Sequence, residues 1–60
     1  MKQPVDIAVM LKTETDKAYF VETNKGDMWL PKLQVEYEQM GDKSGVITMP
    51  YWLAVEKGLI

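Results

Sequence analysis

The side chains best suited to acid–base chemistry in this chain are two pairs of carboxylates. Glu36 and Glu38 share one side of an alternating stretch, and Glu14 lies two residues before Asp16 in a polar segment. Paired carboxylates can serve as general acid and base, and their oxygens can bind a hard cation. Alternating acids on a strand are, however, the usual pattern of a solvated face, and the Glu14 segment has too few ligands for a calcium loop. Neither pair predicts an active site.

Three residue types that commonly carry catalysis or phosphate recognition are absent: the sequence contains no His, no Cys and no Arg. Acid–base and nucleophilic catalysis usually recruit His or Cys, and disulfides and zinc sites need them as well. Arg reads phosphate and guanine bidentately, so sequence-specific DNA recognition is poorly supported. The four glycines are dispersed among turns and form no phosphate-binding loop. We therefore expect a protein that is not an enzyme and that uses no metal and no cofactor.

Length and composition predict one small domain, residues 1–60. Such a domain buries only about 60% of its unfolded surface, so disulfides, a metal or a partner chain usually support it. Because the sequence offers neither disulfides nor a common metal site, oligomerisation or very good packing must stabilise the domain, and of the two we expect a homo-oligomer. No apolar run approaches the roughly 20 residues that cross a bilayer, and the N-terminus lacks the apolar core of a signal peptide. These features predict a cytoplasmic protein.

The stretch from Asp27 to Tyr37 is predicted to organise the rest of the chain. From Leu33 to Glu38 it alternates between apolar and polar residues, which is typical of a half-buried strand. Pro31 interrupts the run, because proline cannot donate to a sheet ladder. We expect two short strands joined at a bend, with Trp29 at the corner.

Period-two alternation and turn residues predict the remaining elements. Asn24-Lys25-Gly26 is typical of a hairpin whose glycine is left-handed, and residues 41–45 read as a polar turn. Near the C-terminus, Pro50 suits a first helical position and Gly58 suits a C′ glycine, with Leu59 folding back on the helix. The predicted elements are strands at 5–12, 17–23, 27–30, 33–38 and 46–49 and a helix at 50–60.

The expected fold class is mainly β (α+β), because five short strands with tight turns precede one helix. We expect a four- to five-stranded antiparallel curved sheet, or an SH3- or OB-like partial barrel, with the C-terminal helix over one opening. On this prediction Trp52→Ala would cost about 3–5 kcal/mol. The predicted core is Val5, Ile7, Val9, Leu11, Phe20, Leu30, Val35, Val46, Trp52 and Val55.

The remaining functional signal is apolar. Six aromatic residues and four of the methionines are too many large side chains for so thin a core, although each one alone is more often core than surface. Trp, Tyr and Met are enriched at protein interfaces, and acidic neighbours such as Asp42 favour a basic partner. We therefore predict a protein-binding surface centred on Trp29 and Tyr51. The candidate binding residues are Trp29, Tyr51, Tyr19, Met10, Met40, Glu36 and Glu38.

A small module that binds single-stranded nucleic acid, of SH3- or OB-like type, is the alternative. Aromatic rings can stack on bases while lysines contact phosphates. The acidic residues oppose the basic groove that such binding needs. The residues that would carry it are Trp29 and Tyr19 for stacking, with Lys17, Lys25 and Lys32 on the phosphates.

Two stretches carry a resemblance to a known group. Residues 29–36 read WLPKLQVE and residues 50–59 read PYWLAVEKGL. They resemble W-L-P-K-S-Q-V-E and P-x-W-L-A-x-E-K-G-L motifs of small uncharacterised phage and prophage proteins, a likeness covering about residues 17 to 59. Leu33 stands where the group has serine, so no polar role is carried over to that position. The resemblance implies a phage origin and a place in the host cytoplasm, without a settled activity. By analogy with small acidic phage proteins, it implies binding to a host or defence protein.

Overall fold

The computed structural model describes residues 3–60 and shows five antiparallel strands in one curved, unclosed sheet with a short C-terminal helix. The strand order is β3-β2-β1-β5-β4, so β1 is central. The mainly β class, the antiparallel sheet and the C-terminal helix are thereby confirmed. The elements are β1 (Val5–Glu14), β2 (Ala18–Thr23), β3 (Gly26–Pro31), β4 (Glu36–Gln39), β5 (Ser44–Met49) and α1 (Tyr51–Glu56).

Strand β1 is the longest element, and its two halves pair mainly with different strands. Its N-terminal part, Val5 to Met10, pairs with β5. Its C-terminal part, Met10 to Glu14, pairs with β2, and a bulge lies between Leu11 and Thr13. A bulge bends its strand and increases the local twist. The central strand therefore changes direction where it passes from one partner to the other.

The short connection between β3 and β4 requires the sheet to curl. These strands occupy opposite edges, which in a flat sheet lie about 19 Å apart (four spacings). The five Cα steps from Pro31 to Glu36 reach roughly 18 Å when fully extended. A turn shortens them further, because the Gln34 N–H donates to the Pro31 carbonyl at 3.0 Å. The curl explains why Tyr19 of β2 and Tyr37 of β4, which are not neighbours in the sheet, have ring centroids 5.4 Å apart.

The core fills the concave side of the curled sheet, called the inner face below. Of the predicted core, Val9, Leu30 and Val35 are buried, and three further β1 residues pack against them half-buried. Phe20 and Val46 were wrongly predicted, because the register puts both on the opposite side of the sheet. The buried hydrophobic residues are Val9, Val21, Leu30, Val35, Ile47, Met49, Leu53, Ala54 and Leu59.

The helix corrects two further core predictions. Its buried stripe follows positions 50, 53, 54 and 57, the spacing of one helical face. Leu53 and Ala54 lie on that stripe, whereas Trp52 is 54% exposed and Val55 is 48% exposed. The assignment of Trp52 and Val55 to the core is therefore wrong, and with it the basis of the large loss of stability predicted for Trp52→Ala. The part of the chain that the structure describes contains no helix long and apolar enough to span a membrane.

The helix ends are defined by backbone geometry. Pro50 is the N-cap residue, with φ −61° and ψ 149°, and not the first helical residue as predicted, so the helix begins one residue later than expected. Gly58 has φ +76° and confirms the predicted C′ glycine. The Gly58 N–H donates to the Val55 carbonyl at 3.0 Å and the Leu59 N–H to the Ala54 carbonyl at 2.8 Å. This is the Schellman arrangement, and it returns Leu59 to the core.

Two strand boundaries also differ from the prediction. Leu33 lies in the turn after β3 and is 97% exposed, so β4 begins three residues later than expected. Gly45 lies inside β5 and is buried, whereas it was assigned to a turn. A Cβ at Gly45 would lie 2.5 Å from Cε1 of Tyr37 and 2.6 Å from the Glu38 carbonyl oxygen. Glycine is needed there because the Tyr37 ring covers the strand.

The β2–β3 hairpin lies where it was predicted, but its loop has two residues and no bulge instead of the three-residue loop with a bulge that was expected, because Gly26 already pairs with Thr23. Asn24 and Lys25 form the turn, and Gly26 takes φ +112°. The buried hydroxyl of Thr23 accepts from the Lys25 N–H at 3.0 Å and donates to the Gly26 carbonyl at 2.9 Å. These bonds fix the point at which β2 stops.

Candidate binding surface

The convex side of the sheet, called the outer face below, carries most of the predicted binding residues. Its side chains follow from the strand register, in which Phe20 lies opposite Trp29 and Met10 opposite both Glu22 and Ser44. The outer-face residues are Asp6, Ala8, Met10, Thr13, Ala18, Phe20, Glu22, Asp27, Trp29, Pro31, Glu36, Glu38, Ser44, Val46 and Thr48.

Trp29 is a supported aromatic anchor on this face. Its side chain is 46% exposed. Its ring centroid lies 4.8 Å from that of Phe20, with the ring planes tilted by 37°. Tilted and offset aromatic pairs add stability beyond their buried area. Phe20, which is half-buried, therefore restricts the orientation of a ring that remains available to a partner.

Met10 and Met40 meet at an open groove of about 540 Å³. They are 45% and 63% exposed. Methionine adapts its shape to a partner because its side chain is unbranched and polarizable. The structure thus brings together two candidates that are 30 residues apart in the sequence. The groove is also lined by Ala8, Val9, Glu22, Thr23, Asn24, Ser44, Gly45 and Val46.

Carboxylates border the apolar part of the outer face. Glu36 and Glu38 are both exposed on this side of β4, so the prediction that they share a face is confirmed. Thr48 of β5 lies opposite Glu36, and its Oγ1 donates a hydrogen bond to Oδ1 of Asp6 on β1 at 2.7 Å. The outer-face carboxylates are Asp6, Glu22, Asp27, Glu36 and Glu38.

Among the described strand residues, Lys12 is the cation that lies on this face. Its Nζ lies 3.0 Å from Oδ2 of Asp27, and this hydrogen bond raises the pKa of Lys12 above its usual value. Five carboxylates against one ammonium group give the outer face a formal charge of −4, compared with −2 for the whole chain. The charges of the protein are therefore segregated. The other lysines among residues 3–60 lie in turns, loops or beyond the helix: Lys17, Lys25, Lys32, Lys43 and Lys57.

Tyr19 does not belong to this surface. It lies on the inner face, half-buried, against the ring of Tyr37. The ammonium of Lys32 lies 4.9 Å from the Tyr19 ring centroid and 2.6 Å from Oε1 of Glu14. The hydrogen bond to Glu14 raises the pKa of Lys32. These contacts hold the connection between β3 and β4 against the rest of the sheet. The register of β2 and β3 places Tyr19 and Trp29 on opposite faces.

The other predicted and missed residues lie off the sheet. Tyr51 is at the start of α1 and is 36% exposed, and Asp42 is exposed in the β4–β5 loop. Sequence reasoning missed four exposed apolar residues. A helix that buries positions 50, 53, 54 and 57 leaves Trp52 and Val55 exposed, and a turn directly after Pro31 leaves Leu33 exposed. The missed residues are Leu33, Trp52, Val55 and Ile60.

The carboxylates have no arrangement that suggests a metal centre. Among residues 3–60, no group of three acidic side chains is placed to hold a metal ion. Glu14 is engaged by Lys32, and Glu36 and Glu38 stand on an exposed edge strand. In comparisons with known proteins, no family model, curated protein or solved structure matches this chain.

Proposed function

We propose that this chain is a non-enzymatic, phage-type protein that binds a host or defence protein through its outer face and thereby modulates or inhibits it. The observation that carries the proposal is an acidic outer face that also displays an exposed aromatic side chain. The outer-face strand residues have a formal charge of −4, and Trp29 on the same face is 46% exposed. An aromatic anchor bordered by charge of one sign is the usual composition of a protein-binding site.

The expected partner presents a basic surface with an apolar recess. The acidic border accelerates encounter with such a surface and disfavours acidic partners. Trp29 fills the recess, and Met10 and Met40 adapt to its border. A protein surface that evolved to hold nucleic acid has this charge. Both an anti-defence inhibitor and a modulator of host replication or transcription fit the description.

The phage part of the proposal rests on the two sequence motifs alone. Their aliphatic positions have structural roles here, since Leu30, Val35, Leu53 and Leu59 are buried. Their tryptophans, one in each motif, are exposed. A phage protein of this kind acts in the host cytoplasm.

Single-stranded nucleic acid is a less favoured ligand. Its proposed stacking residues, Trp29 and Tyr19, lie on opposite faces, and Lys32 is paired with Glu14. An electrophoretic shift with short DNA and RNA oligonucleotides at low and moderate salt tests it. We expect no shift at micromolar protein, and a shift that weakens steeply with salt would contradict this.

The proposal is tested by affinity capture from host lysate with matched variants. Trp29→Ser removes the anchor, and Leu33→Ser removes an exposed apolar side chain that lies off both the outer face and the helix, in the turn after β3. The double variant Glu36→Lys/Glu38→Lys reverses the acidic border, and Asp16→Lys/Glu56→Lys makes the same charge change elsewhere. We expect the first member of each pair to lose a partner that wild type and the control retain. Loss with the controls alone, or retention by every folded variant, would refute the outer face as the binding surface.

We also propose that the chain forms homo-oligomers through its helix. Trp52 and Val55, three residues apart on α1, form an exposed apolar pair. Two outer faces of equal charge repel each other, so the helix is the better contact between copies. Light scattering over a range of concentrations should show association that Trp52→Ser weakens. A mass of 6.9 kDa at every concentration would exclude it.

A further inference from the structure

The N-terminal half of β1 has an unpaired edge. The Leu11 N–H donates to the Lys43 carbonyl at 2.7 Å, in register with the β1–β5 ladder. Along an antiparallel strand, the N–H and C=O groups of successive residues point to alternate sides. The N–H and C=O groups of Asp6 and Ala8 therefore point away from β5. On that side β2 pairs with β1 only from Met10 onward. Within residues 3–60, no backbone hydrogen bond satisfies these groups of Asp6 and Ala8.

This edge lacks the features that protect the other two. Strand β3 ends in Pro31, which has no N–H, and β4 is only four residues long. Residues 5–9 contain no proline and no lysine. The open groove lined by Ala8, Met10 and Asn24 lies beside them. An added strand is the ligand conformation that would satisfy the free donors and acceptors.

The surroundings define which side chains such a strand would carry. On the inner side it would lie beside Val5 and Ile7, which are apolar and half-buried. On the outer side it would lie beside Asp6 and Glu22, both exposed carboxylates. Successive residues of a strand point to opposite faces. The complementary segment therefore alternates apolar residues with Lys or Arg.

Charge argues against a second copy of this chain as the occupant. Two copies paired in antiparallel fashion around Ile7 would bring the Asp6 and Glu22 carboxylates of both copies onto one continuous face. Like charges placed opposite each other on a sheet are destabilising. A basic segment reverses the sign of the same interaction.

We propose that the free edge of β1 at Asp6 and Ala8 binds an extended basic segment of a partner protein by strand addition. This inference rests on the proposed function and names the form of the ligand. The partner contributes main-chain hydrogen bonds to the edge, apolar side chains beside Val5 and Ile7, and cationic side chains beside Asp6 and Glu22.

The test uses a nine-residue peptide of alternating lysine and valine and follows the amides of the protein by NMR. One control peptide has glutamate in place of lysine, and another has proline in place of valine, which retains the charge but cannot form a strand. We expect the lysine–valine peptide alone to bind, and to slow exchange of the Asp6 and Ala8 amides at least about tenfold.

Variants distinguish edge pairing from general attraction. Ala8→Pro removes the outward N–H, and a synthetic chain with N-methylated Ala8 does so without the proline ring. Gln39→Pro is the matched control, because its N–H also points away from its ladder, on β4. We expect the Ala8 changes to weaken binding at least about fivefold, the size of one lost hydrogen bond. Glu22→Lys should weaken it more than Glu56→Lys, and thermal melts verify that each variant folds.

Three results would overturn the proposal. Equal binding of the proline peptide would mean attraction by charge alone. Shifts at Trp29 without protection of Asp6 and Ala8 would remove strand addition while leaving the outer-face proposal intact. If exchange of the Asp6 and Ala8 amides slowed without any peptide as the protein concentration rose, the occupant of the edge would be a second copy of this chain. Failure of the outer-face proposal itself would appear separately, in the capture experiment with Trp29→Ser.

Discussion

The inner and outer faces of this sheet hold opposite kinds of apolar side chain. The inner face is filled by Val21, Leu30, Ile47 and Met49, each no more than 1% exposed. The outer face displays Trp29 and Met10, each nearly half-exposed. A tightly curled sheet of five short strands encloses little volume, so aliphatic side chains fill its centre, and the two inner-face rings, Tyr19 and Tyr37, are only half-buried. In a β-domain this small, an aromatic residue is therefore weak evidence for the core.

The largest effect is expected on the inner face. Leu30→Ala should cost about 2–5 kcal/mol, because it removes a fully buried side chain and leaves a cavity. That cost is comparable with the whole stability that a core of this size supplies, about 3–5 kcal/mol. Chemical denaturation followed by circular dichroism measures the change. An unfolding midpoint equal to that of wild type would mean that the inner face is not the core.

The next effect comes from a glycine that the inner face requires. Gly45→Ala should cost about 1–3 kcal/mol, because the added Cβ meets the Tyr37 ring and the Glu38 backbone. Gly41→Ala is the matched control. There the Cβ would lie 2.8 Å from Oγ of Ser44, a side chain that can rotate away. Equal melting temperatures of the two variants would contradict the close packing of β4 on β5.

The next effects are expected at the two exposed tryptophans, Trp29 on the outer face and Trp52 on the helix. Trp29→Ser should lower stability by about 0.5–1.5 kcal/mol, because it removes the contact with Phe20. Trp52→Ser should change the stability of the dilute, monomeric protein by less than about 0.5 kcal/mol, as is usual for exposed positions. Thermal melts of both variants provide the measurement. A loss for Trp52→Ser as large as that for Leu30→Ala would restore Trp52 to the core.

The smallest effect concerns the ion pair between Lys32 and Glu14. The pair raises the pKa of Lys32 above 10.5, so its contribution is complete below that pH and is lost as the pH rises through the raised value. Wild type should therefore melt slightly above Glu14→Gln at pH 8, and the difference should disappear well above pH 10.5. A difference that persists at high pH would mean that Glu14 acts through packing and not through charge.

Much of the fold was predictable because its signals are local. Alternation located all five strands and correctly put Tyr19 and Val21 on one side of β2, opposite Ala18 and Phe20. The hairpin glycine and the C′ glycine were identified because only glycine readily adopts a positive φ. Period two, however, does not state which side of a strand meets the core. That choice depends on the direction of curl, and it was wrong for Phe20 and Val46.

The candidate surface was only partly predictable, because it is assembled by strand order. Glu36 and Glu38 share a face through local alternation, and that prediction is confirmed. Asp6, Glu22 and Asp27 join them through the pairing of β1, β2 and β3, which local sequence does not specify. Tyr19 was assigned to the surface because it is aromatic, and the structure assigns it to the inner face. The free edge of β1 also depends on where β2 stops.

The most direct test of the two-face account is hydroxyl-radical footprinting of the protein, free and bound to its captured partner. Methionine and tryptophan are readily labelled, so Met10 and Trp29 report on the outer face, Met40 on the groove that it lines with Met10, and Trp52 on the helix. We expect labelling of Met10, Trp29 and Met40 to fall on binding while labelling of Trp52 does not change. Protection of Trp52 with undiminished labelling of Met10, Trp29 and Met40 would contradict the two-face account.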